Sequence, residues 1–147
     1  RERKRFMNKM QFTLPLAALA MLVLAGCRTA VPIENVNTES YGSVIYAEAN
    51  KLTLKDYEKA IVRAGAPRGW DMRPISAGQL EATNVVRDKH TVVVDVAFDT
   101  KTFSIDYKNS KNMDWNSRTK TIHPSYNAWV ELLEADIKAE IQRLRAS

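Results

Sequence analysis

Apolar and polar positions along the chain fall into two periodic patterns, one helical and one alternating. Leu54, Tyr57, Ile61 and Ala64 recur every three or four residues, which puts them on one face of a helix. Thr53 precedes this stripe and Asp56 follows three positions later, so Thr53 reads as an N-cap for the first free amides. Gly65 ends the helix, and Pro67 prevents its resumption.

Alternation begins further on. Along Thr91–Phe98, Val92, Val94, Val96 and Phe98 share one face, while Thr91 and Asp95 share the other. Phe103, Ile105 and Tyr107 repeat this along Thr102–Lys108. The short link Asp99–Lys101 makes these two segments an antiparallel hairpin. Two further extended segments precede them: Trp70–Ile75, where Pro74 points to an edge position or to a strand ending there, and Gly78–Arg87.

After a polar stretch, Asn109–Thr121, helical spacing returns. Tyr126, Trp129, Val130, Leu133, Ile137, Ile141 and Leu144 follow a 3.6 period, with Glu131, Glu134, Lys138 and Arg143 on other faces. Pro124 suits a first helical position. Met113 and Trp115 interrupt the polar stretch and predict a loop pinned to the body. The order α-β-β-β-β-α predicts a two-layer α+β domain over residues 53–147. It has an N-terminal helix, an antiparallel sheet of about four strands and a long C-terminal helix on the sheet's apolar face.

The N-terminal part follows neither pattern. Phe12–Gly26 is an apolar run of 15 residues broken by Pro15, short of the roughly 20 that a spanning helix needs. It lies behind Arg1, Arg3, Lys4, Arg5 and Lys9. A basic start, a short apolar run and small residues at its end predict a signal peptide over residues 1–26, removed on export.

The run ends in Leu24-Ala25-Gly26-Cys27, and Cys27 is the only cysteine. These four residues resemble a bacterial lipobox. The resemblance implies that Leu24, Ala25 and Gly26 are read by the signal peptidase and that Cys27 becomes the first residue, carrying a covalent lipid. A thiol suits that chemistry as a nucleophile, and more than one acyl chain makes the anchor stable. Arg28, where an aspartate would imply inner-membrane retention, implies an outer-membrane lipoprotein facing the periplasm; the inner membrane is the alternative. Residues 27–52 then read as the lipidated cysteine and a flexible tether, because Asn, Thr, Ser, Glu and Gly occur there without a sustained period.

This changes the meaning of the charge. The chain carries +5 at pH 7 with a pI near 9.4, a balance that invites a nucleic-acid partner. Residues 1–26 hold five of the 22 basic groups and one of the 17 acidic ones, which leaves +1 for the remainder. No basic run survives there, so no nucleic-acid partner is expected. No thiol survives to form a disulfide either, and the fold must rest on its core.

Candidate chemistry is sparse. The two histidines, His90 and His123, are far apart and belong to no ligand motif, so no metal is expected. Neither a nucleophile elbow nor a phosphate loop occurs. Asp95 and Asp106 face each other across the predicted hairpin, and Ser110, His123 and Asp106 can be grouped as a triad, but with so many serines and aspartates such a trio arises by chance. The expectation is a non-catalytic binding or scaffolding domain without a cofactor, attached to the membrane through its lipid and meeting an envelope protein.

The stretch "DYKNSKNMDWNSRTKTIHPSYNAWVELL" carries a second resemblance. Tyr107, Ser110, Asn112, Met113, Ile122, His123, Tyr126, Asn127, Trp129 and Val130 are similar to a pattern in small uncharacterised exported lipoprotein domains. It ends in Ile-His-x-x-Tyr-Asn-x-Trp-Val. Arg68-Gly69-Trp70 and Arg87–His90 also match, so the resemblance covers about residues 53–144. It implies a fold and an envelope compartment, but no reaction. The cluster has two readings. In one, His123 and Asn127 satisfy free backbone groups at a helix start, with Tyr126 and Trp129 in the core. In the other, Trp70, Arg87, His90, Tyr107, His123, Tyr126 and Asn127 line a cleft for a small ligand or glycan. A hydrolase using His123 is a third possibility.

Overall fold

A computed structural model describes residues 29–42 and 51–147. The leader, the lipobox-like residues with Cys27, and Val44–Tyr46 lie outside the described residues. The elements in chain order are β1 (Val31–Pro32), β2 (Val36–Ser40), α1 (Leu54–Gly65), a 3₁₀ turn (Ala66–Arg68), β3 (Trp70–Ser76), β4 (Gln79–Val86), β5 (His90–Phe98), β6 (Thr102–Lys111), β7 (Thr121–Ile122) and α2 (Ser125–Ala146). The main sheet has five antiparallel strands in the order β2-β6-β5-β4-β3, and β1 pairs with β7 as a separate antiparallel ribbon.

The class is α+β with a long C-terminal helix, as the periodicities predict, but the first helix follows β1 and β2 rather than opening the domain. Thr53 caps α1 in both directions: its hydroxyl accepts from the Asp56 amide at 3.3 Å, and the Asp56 carboxylate accepts from the Thr53 amide at 2.8 Å. Hydrogen bonds from Thr53 hold the Asp56 carboxyl below its usual pKa. Pro74 lies on an edge strand, where its missing amide breaks no ladder. Gly78 belongs to the β3–β4 turn rather than to β4: its φ is +76°, and a Cβ there would sit 2.7 Å from the Phe98 carbonyl oxygen.

The core lies between the sheet and the two helices. Leu80 and Ala82 from β4, Val92, Val94 and Val96 from β5, and Phe103 and Ile105 from β6 point inward. They meet Tyr57, Ala60 and Ile61 of α1 and Tyr126, Val130, Leu133, Ile137 and Ile141 of α2. Trp129 and Leu144, expected on the same stripe, are only partly buried at its margin.

The strand count and part of the tether are corrected. The sheet has five strands rather than about four, and the fifth comes from within residues 27–52. β2 pairs with β6 (Val36 opposite Ile105, Glu39 opposite Phe103), and both Val36 and Tyr41 are buried. The sequence Val-Asn-Thr-Glu-Ser shows no alternation because it forms a sheet edge with one buried side chain, and polar edges are how sheets avoid unwanted pairing.

What docks this segment is distant in sequence. The Asn127 side chain donates to the Pro32 carbonyl at 2.9 Å and accepts from the Glu34 amide at 3.1 Å. The Asn35 side chain accepts from the Tyr107 amide at 3.1 Å. Asn127→Ala is expected to cost about 1–2 kcal/mol, the usual loss for a removed bonded side chain. It should also speed amide exchange at Ile33–Val36. Unchanged exchange there, measured by mass spectrometry, would show that the β1–β7 and β2–β6 ladders suffice.

Candidate functional site

Most of the residues singled out in the sequence meet at one end of the sheet. The β4–β5 turn, the loop after β6, β7 and the start of α2 come together there. Asn112 ties the first two: its side chain donates to the Lys89 carbonyl at 2.7 Å, and its own carbonyl lies 2.7 Å from His90 Nδ1. The His123 amide donates to the Met113 carbonyl at 2.8 Å, and the Met113 side chain is buried, which pins the loop.

His90 and His123 become neighbours, with ring centroids 6.2 Å apart. The cleft reading of the sequence put both in one group, although no local spacing signals it, since the contact is made by chain reversal. Their hydrogen bonds assign their tautomers. A carbonyl only accepts, so His90 Nδ1 carries the proton. His123 Nδ1 accepts from the Ser125 amide at 3.1 Å, so in the neutral ring its proton is on Nε2. A proton on His123 Nε2 opposes joint metal ligation by the free edges of the pair. Among the described residues no three or more His, Cys, Asp or Glu side chains group to hold a metal.

Tyr107 on β6 packs against two other aromatic rings. Its ring is 4.3 Å from that of half-buried Trp115 and 5.7 Å from that of Tyr126. Its hydroxyl is 3.0 Å from Ser110 Oγ. Tyr126 is fully buried, and its hydroxyl has no hydrogen-bond partner. Burial, reinforced by Tyr107 and Asp106, pushes that hydroxyl well above the usual tyrosine pKa.

The remaining candidates do not join this group. Trp70 is buried on β3, opposite Asn84; β4 and β5 separate it from β6, a distance of roughly 14 Å at the usual strand spacing. Arg87 lies at the same end of the sheet, in the β4–β5 turn, but is exposed and outside the ring cluster. Asn127 is committed to the N-terminal segment rather than to the loop. The trio of Ser110, His123 and Asp106 is not assembled: Ser110 bonds Tyr107, His123 bonds the backbone, and Asp106 is exposed on the sheet's outer face opposite Asp95.

That outer face holds two features that lie far apart in the sequence. The first is a ladder of charges. Arg73, Glu81, Asp95 and Asp106 stand in register across β3, β4, β5 and β6. Lys108 lies 2.9 Å from both Glu81 and Asp95, and Arg73 lies 3.2 Å from Glu81. Hydrogen bonding from Lys108 holds the Glu81 carboxyl below its usual pKa, and the two acids raise that of Lys108. The bulge between Val93 and Val94 offsets β6 and gives Lys108 this reach.

The second feature is a depression of about 560 Å³ at the β3–β4 turn end, to which all five strands contribute, including Thr38, Ser76, Gln79, Ala97 and Ser104. A smaller one of about 320 Å³ shares Gln79 and Ala97 and reaches exposed Ile75, Asp106 and Lys108. The floor is low because the outward positions there are small.

Arg145, near the C-terminus of α2, is a buried guanidinium that the helical stripe does not include. It donates to the Tyr57 hydroxyl at 3.1 Å and to the Gly42 and Thr100 carbonyls at 3.0 and 2.9 Å. Its charge lies 5.1 Å from the Tyr41 ring centroid and 5.5 Å from that of Tyr57. No helix among the described residues is long and apolar enough to cross a membrane. Comparison with family models, curated proteins and solved structures gave no match to this chain.

Proposed function

We propose that this protein is an envelope lipoprotein, anchored by a covalent lipid on Cys27 to the outer membrane and facing the periplasm. Its domain binds or scaffolds an envelope protein rather than catalysing a reaction. The observation that carries the binding role is the outer face of the sheet. It joins a shallow trough floored by small residues to a ladder of both charge signs and an exposed Ile75 (58% exposed). Such a surface suits an extended protein segment, whose backbone seeks polar partners and whose side chains need low relief.

A photo-crosslinking residue at Ala97 or Ser104 tests this in the lipidated protein within its own envelope. The expected result is a discrete crosslinked protein from both positions and none from Glu131 on the exposed side of α2. Equal capture from all three positions, or none from the sheet, would overturn the reading.

A small ligand or glycan at the loop–helix end is the second reading. Its support is the pair of part-exposed rings Tyr107 and Trp115, a surface on which a sugar can stack. Against it, the side chains of Asn112, Asn116 and Asn127 already bond the chain's own backbone.

A further inference from the structure

The described basic side chains are unevenly paired. Lys55, Arg63, Arg68, Arg73, Lys108, Lys138 and Arg143 each face a carboxylate. Arg87, Lys89, Lys111, Arg118 and Lys120 form no ion pair and are exposed, and the same holds for Lys59 on α1 and Lys101 in the β5–β6 link. Five of these seven, Arg87, Lys89, Lys111, Arg118 and Lys120, lie at the end of the sheet where His90 and His123 meet, in the β4–β5 turn, the end of β6 and the loop after it. Glu34, Asp88 and Asp114 are the exposed acids nearby, so the end is net positive. These bases are scattered along the sequence, and only folding gathers them. Lys120 lies 5.8 Å from the ring centroid of half-buried Trp115, so the cluster includes an indole of the kind enriched at membrane interfaces.

The backbone there is also unusual. Arg87, Asp88, Asn112, Asp114 and Lys120 are the described non-glycine residues with positive φ, and all five belong to these loops. Glycine would suit such positions better. Arginine and lysine are held there instead, displayed on tight turns.

The chain also enters the domain at this end. Val31 pairs with Ile122, and the Ile33 amide donates to the Lys120 carbonyl at 2.9 Å. Cys27 precedes Thr29 by two residues, which span at most about 7 Å. From these observations we propose that this basic end rests on an anionic phospholipid surface, held there by the short lead from Cys27. The inference rests on the lipoprotein reading above. It replaces a domain standing off on a long tether with one lying against the bilayer. It also turns the trough, which lies at the opposite end of the strands, away from the lipid and towards a partner.

The test uses the full chain, processed in bacteria and reconstituted in phosphatidylcholine vesicles with or without phosphatidylglycerol. A fluorophore is placed on Ser117→Cys or, at the opposite end, on Ala77→Cys, and quenching by headgroup-labelled lipid is measured. Several-fold stronger quenching at 117 than at 77 is expected, only with phosphatidylglycerol, and it should be lost in Arg87→Gln/Lys89→Gln/Lys111→Gln. Equal quenching at both positions, or no dependence on phosphatidylglycerol, would overturn the proposal. The mass of the peptide beginning at Cys27 tests the anchor separately, and an unmodified mass defeats the lipoprotein reading alone. The unlipidated chain then reports on the surface by flotation with anionic vesicles. A loss on the order of 100-fold in affinity is expected for the triple variant, from roughly fivefold per basic residue. Equal flotation of the triple variant and the parent overturns the proposal.

Discussion

Arg145→Met is expected to destabilise the domain by about 3 kcal/mol, lowering its melting temperature by about 10–15 °C. Arg145 is 6% exposed, and its guanidinium joins four parts of the chain: α2, α1 through Tyr57, the N-terminal segment through Gly42, and the β5–β6 link through Thr100. Hydrogen bonds from a charged donor are worth about 1.5–3 kcal/mol each, and removing the donor takes the partner from two part-buried carbonyls and from the Tyr57 hydroxyl. Burying a cation without a carboxylate costs free energy too, so the net effect is smaller than the sum of three bonds. Arg145→Lys keeps the charge but cannot reach three divergent acceptors from one ammonium, and a loss of about 2 kcal/mol is expected. Thermal unfolding followed by circular dichroism measures both. A Met variant within 1 kcal/mol of the parent would mean that the desolvation cost of the guanidinium cancels its bonds.

Alkaline pH is expected to unfold the domain through two buried phenols. Tyr41 and Tyr126 are 2% and 0% exposed, and neither hydroxyl has a hydrogen-bond partner. Burial raises both above the ordinary pKa; Asp99 and Tyr57 add to this at Tyr41, where Arg145 opposes it, and Tyr107 and Asp106 add to it at Tyr126. The folded state therefore holds both protons to higher pH than the unfolded state, whose tyrosines titrate near pH 10. Stability is complete below about pH 10 and falls above it, by up to 1.36 kcal/mol per pH unit for each group. At pH 11.5 the two together remove about 4 kcal/mol. Weakening of the Lys108 and Lys138 pairs, which lie at or near the surface, acts in the same direction but is small, as for most surface ion pairs.

The double variant Tyr41→Phe/Tyr126→Phe is expected to flatten this decline while leaving stability at pH 7 unchanged or raised by about 1 kcal/mol, because it removes two unsatisfied hydroxyls. Urea unfolding across pH 7 to 12 gives the comparison. An identical alkaline decline in parent and double variant would refute the assignment to these tyrosines.

The sequence by itself determined both helices, four of the strands and the β5–β6 hairpin. Each is written in local periodicity and capping: Thr53 with Asp56, the Val92–Phe98 alternation, the stripe from Tyr126 to Ile141. At Pro74 it left two choices, an edge strand or a strand ending there, and the strand order makes β3 the edge. Only the tertiary structure decided the rest. β2 is a polar edge whose place depends on Asn127, Tyr107 and Arg145, about 70 to 100 positions away. The meeting of His90 with His123, the charge ladder of Arg73, Glu81, Asp95 and Lys108, and the gathering of five unpaired bases are likewise made by chain reversal and strand order. The physical reason is one of range. A repeat of two or 3.6 residues records which face a side chain occupies on its own element. It carries nothing about which other face, edge or chain end will be packed beside it.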